Sequence, residues 1–417
     1  MEVIKGYKQT EIGVIPDDWN YKTINFLIKE LTDFVAAGSF ESLRNNVQVY
    51  DFENYALYVR LYDIRLGIGH DKQKYVDEQS YRFLNKSNLY GDEILMANIG
   101  ANVGEAFLMP KTNMPATIAP NMIIIRSDEK KLISKYLFYY IVSNKGQKLL
   151  SELIAGSGHP KLNKTDLKKL NIIFPPSLKE QTAIANALSD TDTWINSLEQ
   201  LLTKKRQIKQ GAMQELLQPK EGWEVKTIKE VAKFRRGSFP QPYGLDKWYD
   251  DYNGMPFVQV YDVDDNKRLK TDTKRKISEE GSKFSVFVEK GSVILTIQGS
   301  IGRIAITQYD AYVDRTLLIF ESYTVKFNKY FFVTMIELLF EKEKEKAPGG
   351  IIKTITKEAL SSFEITFPDF EEQIRIASIL SDMDEEITQL ETKLAKVKQI
   401  KQGMMQELLT GRIRLVK

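Results

Sequence analysis

The stretch "QIKQGAMQELL" at 207–217 returns as "QIKQGMMQELL" at 399–409, with ten of eleven residues kept. From Gln181 and Gln373 onward the two copies align without a gap for 37 residues, 22 of them identical. One phrase written twice, 192 positions apart, needs two equivalent places in the fold. Both copies carry a helical pattern. In the second, Ile376, Leu380, Met383, Ile387, Leu390, Leu394, Val397, Lys401, Met404 and Leu408 follow 4-3 spacing, and nine of the ten are apolar. In the first, Ile184, Leu188, Ile195, Leu198, Leu202, Ala212 and Leu216 keep the same frame, interrupted by Thr191, Lys205 and Lys209. Apolar residues every 3.5 positions form the seam of a coiled coil.

The repeat continues more faintly outside the helices. "DDWNYKTI" (17–24) answers "EGWEVKTI" (221–228), and "YVRLYDI" (58–64) answers "FVQVYDV" (257–263). "GDEILMANIGANVG" (91–104) answers "GSVILTIQGSIG" (291–302), and "KLNKTDLKKLNIIFP" (161–175) answers "TITKEALSSFEITFP" (354–368). Each half is therefore a globe followed by a long helix. Short β-rich runs alternate with Gly, Asn and Asp turns in each globe. One helical stretch, Lys135–Ile154 or its echo Tyr330–Lys346, precedes the last strand. The expected fold class is α+β: two globes joined by two long helices in an antiparallel coiled coil, with an internal pseudo-two-fold repeat. The expected boundaries are 1–175, 176–218, 219–368 and 369–417. A helix from Glu180 to Leu217 is about 57 Å long at ~1.5 Å per residue. Antiparallel pairing gives the shorter connection, because the second globe begins just beyond that helix at Trp223.

Composition excludes several chemistries. The chain has no cysteine, so disulfides, thiolate metal sites and cysteine nucleophiles are out. With only His70 and His159, a multi-histidine metal site is out as well. The start "MEVIKGYKQTE" has no apolar core of a secretory signal, and no apolar run reaches the ~18–20 residues that span a bilayer. The expectation is a cytoplasmic protein without a membrane partner. A net charge of +3 implies no partner by itself, although a basic patch can be local.

Two similar but unequal readers held at a fixed separation suit double-stranded DNA, whose half-sites lie about 34–36 Å apart per helical turn. Several segments carry a family resemblance: "YKQTEIGVIPDDW" (7–19), "FPPSLKEQTAIANALS" (174–189), "FPDFEEQIRIASILS" (367–381) and both "QIKQG.MQELL" phrases. With Glu180–Gln181 and Glu372–Gln373 ahead of the long helices, the chain resembles the specificity subunit of type I restriction-modification systems. The first copy departs slightly, with one extra residue in "PPSLKEQ" relative to "PDFEEQ". The resemblance implies that 1–175 and 219–368 are target recognition domains for a bipartite, asymmetric DNA target. It implies that the helices scaffold two methylation subunits and recruit restriction subunits. It also implies no catalysis here, with S-adenosylmethionine, ATP and Mg on the partners. No Walker lysine motif or amino-methyltransferase motif is present, and "NIGANVG" (98–104) reads as a turn.

Phosphate contacts need Lys and Arg, and base edges need Arg, Asn, Gln or Lys. The strongest candidate is "NKRLKTDTKRK" (266–276), where Lys267, Arg268, Lys270, Lys274, Arg275 and Lys276 face one acid, Asp272. The matching place in the first globe holds Arg60, Arg65, His70, Lys72 and Lys74. Lys161 in "GSGHPKLN" and Lys353 in "PGGIIKTIT" are weaker candidates. The acids Asp262, Asp264 and Asp265 read as a turn, and Asp382, Asp384, Glu385 and Glu386 as a helix beginning. Two other readings stand beside this one: a coiled-coil scaffold whose globes bind protein, and the specificity subunit of a methylation-only or combined restriction-methylation system.

Overall fold

The computed structural model describes residues 5–154, 160–346 and 355–416. It divides into two units, Met1–Glu199 with Lys393–Lys417, and Gln200–Thr392. Each unit holds one globe and one part of each long helix.

In the first unit a four-stranded antiparallel sheet runs in the order Ala106–Leu108, Ile94–Ala97, Met122–Ser127, Ile28–Asp33. Its central strands are apolar on both faces because each face has its own core. Ile94, Met96, Ile123 and Ile125 enter one cluster with the helices, while Leu95, Met122 and Ile124 enter another. The side-chain period of two along a strand sorts them this way. The second cluster is closed by a five-stranded sheet, Val49–Tyr50, Lys74–Val76, Ala56–Val59, Ala116–Ile118, Asn88–Leu89. Within it Ala56–Val59 and Ala116–Ile118 pair in parallel.

The second unit repeats the plan. Its antiparallel sheet runs Ala232–Arg236, Leu317–Tyr323, Val293–Thr296, Ile304–Ile306. Val293, Leu295, Leu318 and Phe320 face the helices, and Ile294, Leu317 and Ile319 face the other core. The partner sheet runs Arg275–Ile277, Met255–Val258, Ala311–Val313, Val286–Val288, again with a parallel pairing, between Met255–Val258 and Ala311–Val313. A helix at Lys329–Lys346 covers the sheet. In the first unit the expected single stretch Lys135–Ile154 is two helices, Ser134–Val142 and Asn144–Ile154. The Ser143 hydroxyl breaks it: it donates to the Tyr140 carbonyl at 2.6 Å and accepts the Gly146 N–H at 3.1 Å.

The long helices span Leu178–Leu216 and Phe370–Leu408. The seam lies where the heptads place it. Ile184, Leu188, Ile195, Leu198 and Leu202 are buried, as are Ile376, Leu380 and Ile387, and Leu390 and Leu394 are half-buried. Cross-helix pairs run antiparallel within each unit. Asp192 bonds Lys401 at 2.5 Å and Glu199 bonds Lys398 at 2.7 Å in the first. Lys205 meets Glu386 at 2.7 Å, Arg206 meets Glu391 at 2.6 Å, and Lys209 pairs with Asp384 in the second. The polar interruptions of the seam are thus matched across it. Thr191 turns its hydroxyl onto the Ala187 carbonyl at 2.8 Å.

The glutamines that open these helices clamp them to their globes. Buried Gln181 accepts the Ile133 N–H at 2.8 Å and donates to the Pro175 carbonyl at 2.9 Å. Gln373 does the same with Asn328 at 3.1 Å and Pro368 at 3.0 Å. The tail closes the first unit: Arg414 grips Glu180 at 2.5 Å and Asp18 at 2.8 Å. Gly411 permits this return. Its φ of +72° lies in the left-handed region, and a Cβ there would sit 2.5 Å from Pro16. Among the described residues, no helix is long and apolar enough to cross a membrane.

Candidate nucleic-acid interface

In both globes the candidate cations gather around a buried aspartate just beyond the parallel-paired strand. After Ala56–Val59 comes Arg60, whose N–H donates to Asp63 Oδ2 at 2.7 Å. After Met255–Val258 comes Gln259, whose N–H donates to Asp262 Oδ2 at 2.8 Å. Three residues is the reach of a capping carboxylate at a helix start, which fixes the strand-to-helix corner.

Around Asp63 the network is charged. The Arg60 guanidinium forks onto it through Nε at 2.9 Å and Nη2 at 2.5 Å. Nη2 also donates to the Lys72 carbonyl at 2.7 Å. His70 completes the ring: its Nδ1 accepts the Lys72 N–H at 3.0 Å, so Nε2 carries the hydrogen toward Asp63, also at 3.0 Å. Arg60, Lys72 and Lys74 line one cavity of about 410 Å³ together with Tyr62. Lys74 is ion-paired with exposed Asp51. Arg65 stands apart from this group and pairs with Glu105. Exposed Lys161 forms an isolated bridge to Ile99. Lys353 and His159 lie outside the described residues.

Around Asp262 the network is backbone and aromatic. Its Oδ1 accepts the Lys274 N–H at 3.0 Å, and its carbonyl accepts the Lys270 N–H at 2.8 Å. Burial raises its carboxyl above the usual range, and the bonds from Lys274 and Gln259 oppose that only in part. Arg268, Lys270 and Lys274 are exposed, and Lys276 is half-exposed. None of the four makes a bridge to a carboxylate among the described residues. Lys274 lies 5.0 Å from the Tyr261 ring. Arg275 lies 3.8 Å from the Tyr249 ring and bonds Asp251 at 3.2 Å. Surface pairs of this kind are worth roughly 0–1 kcal/mol, so they can be exchanged for a phosphate.

Lys267 leaves the candidate set. Asp264 closes a turn by accepting the N–H groups of Asn266 and Arg268 at 2.8 and 2.9 Å. Lys267 between them takes a φ of +60° and turns inward, to 5% exposure. Its ammonium reaches Glu337 at 2.9 Å and Asp384 at 3.4 Å, and Asp384 also takes Lys209 and the Tyr330 hydroxyl. Burial alone pulls a lysine down, yet Glu337 and Asp384 hold this one above its ordinary range. Its charge is satisfied inside the unit, so it is not a phosphate contact. Of the acids read as a turn and as a helix beginning, Asp262 and Asp384 prove to be structural hubs, and Asp382, Asp384, Glu385 and Glu386 lie well inside a helix that begins at Phe370 rather than opening one. No cluster of acids or histidines among the described residues could hold a metal.

A model of the type I restriction modification DNA specificity domain matches this chain twice, at residues 18–210 and 220–399. The chain belongs to this family. Each match spans one globe and much of the helix after it, which is the repeat unit seen in the sequence. As a family member with two such domains, it is a DNA sequence-specificity subunit. It is similar to two specificity subunits of Methanocaldococcus jannaschii. The putative MjaX subunit is 26% identical over 443 residues, 99% of this chain and 97% of that protein. The MjaVIII subunit is 25% identical over 430 residues, 96% and 94%. Among solved structures, the type I S subunit from M. genitalium covers 98% of both chains at a TM-score of 0.63 and 16% identity. A chain from a type I restriction-modification assembly gives 0.54 at 14% identity, covering 96% of this chain and 99% of its own. At such identities these structures share the fold.

Two groups of residues at this interface escaped the sequence reading. Asp63 in "RLYDI" carries no charge-cluster signal, and Asp262 in "QVYDV" reads only as part of a turn. Tyr243, Tyr249 and Gln259, which join the second patch, carry no charge and so left no signal in a search for cations.

Proposed function

We propose that this chain is the non-catalytic reader of a bipartite DNA target, with one half-site for each globe and the helix pair as the dock for its partners. The observation that carries the reading is the recurrence of a cation-rich corner at the same register position in both specificity domains. Exposed Lys72, Arg268, Lys270 and Lys274 and half-exposed Lys276 serve as phosphate contacts, releasing counterions on binding. Two methylation subunits sit on the matched outer faces of the helices, and restriction subunits join them. Methyl transfer and cleavage then belong to those partners, which hold S-adenosylmethionine, ATP and Mg.

The test is exchange of one globe. Residues Met1–Phe174 are replaced by the corresponding globe of a related chain, and modified sites are mapped by single-molecule sequencing in cells that supply the methylation partners. The expected result is a target with one new half-site and one old. A chimera that rewrites both half-sites defeats the two-reader model, as does a parent with an uninterrupted target.

A further inference from the structure

The two corners keep a tyrosine, a buried aspartate and a flanking ion pair, and differ in the residue that follows the parallel-paired strand. Tyr62 and Tyr261 match, as do Asp63 and Asp262. The pair Lys74–Asp51 matches Arg275–Asp251: Lys74 lies opposite Tyr58, and Arg275 lies opposite Phe257, in equivalent ladders. At the centre of this common frame Arg60 occupies the position of Gln259. A frame that is kept while its central side chain changes is the arrangement expected of a reader whose target differs.

Both side chains are also held in one orientation. Arg60 is fixed by Asp63 and the Lys72 carbonyl, which leaves Nη1 without a protein acceptor among the described residues. Gln259 donates from Nε2 to the Tyr243 hydroxyl at 2.9 Å, and its Oε1 accepts the Tyr261 hydroxyl. One amide hydrogen and one oxygen lone pair therefore stay unused, side by side. Gln259 is 8% exposed, and the surface side chains Tyr243 and Tyr261 that bond it would have to give up those bonds for the amide to meet a base. Flanking cations, Lys72 in one globe and Lys274 in the other, would each meet phosphates beside the base read in that half-site. The fixed Arg60 guanidinium, with Nη1 free of an acceptor among the described residues, is the kind of preorganised group that base discrimination needs.

We infer that Arg60 and Gln259 are specificity-determining residues, Arg60 setting a guanine in the first half-site and Gln259 an adenine in the second. The chemistry follows from the major groove. Guanine presents two acceptors, O6 and N7, to a guanidinium, and adenine presents N7 and N6–H₂, the complement of an amide. The inference rests on the DNA-reading function proposed above and adds the identity of two bases.

The experiment uses the full chain in complex with its methylation partners, on a library of duplexes randomised over the target. Arg60→Gln should shift one position of the first half-site from guanine to adenine by tenfold or more and leave the second half-site alone. Gln259→Arg should do the reverse in the second. Unchanged preferences in both variants overturn the inference, and so does a parent target lacking G·C in the first half-site or A·T in the second. Should a variant lose all methylation, the parent complex decides. Replacing each guanine of the first half-site with 7-deazaguanine removes the N7 acceptor, and one substitution should slow methylation about tenfold; no effect at any guanine refutes the assignment. A parent that directs no sequence-specific methylation would sink the DNA-reading function itself, a different failure from a specific parent with unaltered variants.

Discussion

Lys267→Met is the substitution whose consequence the structure fixes most tightly. Methionine keeps the aliphatic stem and removes the ammonium that Glu337 and Asp384 share at 2.9 and 3.4 Å. Removing one member of a buried pair costs about 3–5 kcal/mol, because the other charge is left uncompensated. Here the carboxylate side chains keep 26% and 22% exposure, and Asp384 retains Lys209 and Tyr330. The lower end, about 3 kcal/mol, therefore applies. Urea denaturation of the full chain, followed by hydrogen exchange at the 255–320 strands, measures it. The pH dependence has a definite sign. Burial opposes the Asp384 charge, but Lys267, Lys209 and Tyr330 hold its carboxyl below the usual range. A depressed carboxyl contributes stability above its unfolded value of about 3.9 and loses it as pH falls through the folded value. Lys267, held above its ordinary range, contributes below about pH 10.4 and loses that only at still more alkaline pH. The gap between parent and variant should thus be flat from pH 5 to 9 and shrink below pH 4. A loss under about 1 kcal/mol at pH 7 would refute the network as the anchor of this loop, as would a gap that persists to pH 2.

Three further outcomes follow from the same geometry. Changing Arg268, Lys270, Lys274 and Lys276 to Gln should flatten the log–log salt dependence of DNA binding by about 0.9 for each phosphate no longer neutralised, measured by anisotropy across salt concentrations. Gln373→Ala orphans the Asn328 N–H and the Pro368 carbonyl and should destabilise the second unit by about 2–4 kcal/mol, read as a fall in denaturation midpoint. Arg414→Met strips the countercharge from Glu180, whose side chain is 3% exposed, and should cost the first unit about 3–5 kcal/mol and open 411–416 to proteolysis.

The helices were legible because a 3.5-residue period survives translation into structure directly, down to the polar interruptions. The sheets were legible as strands but not as layers. "NMIIIR" shows an apolar run, and only the fold reveals that Ile123 and Ile124 serve different cores. At the interface, charge was legible and burial was not. Nothing in "NKRLKTDTKRK" separates Lys267 from its neighbours, since the carboxylates that capture it come from Glu337 and Asp384, far along the chain. The split at Ser143 was hidden for a local reason: serine is tolerated inside helices, and here its hydroxyl competes with the backbone.

The repeat relates the cross-helix pairs to one another, and the exception is informative. Adding 192 to Asp192 and subtracting it from Lys401 converts that pair into Asp384–Lys209, and Glu199–Lys398 becomes Glu391–Arg206 in the same way. Lys205–Glu386 has no such counterpart, because its equivalents are Val397 and Trp194. Trp194 is 46% exposed, with the Lys393 ammonium 5.8 Å from its ring. The two units thus offer partners the same charged frame with one difference, an indole in the first and an ion pair in the second. An exposed ion pair is screened by salt, so raising the ionic strength should weaken the Lys205–Glu386 tie between the helices of the second unit, where the first unit has no equivalent pair to weaken.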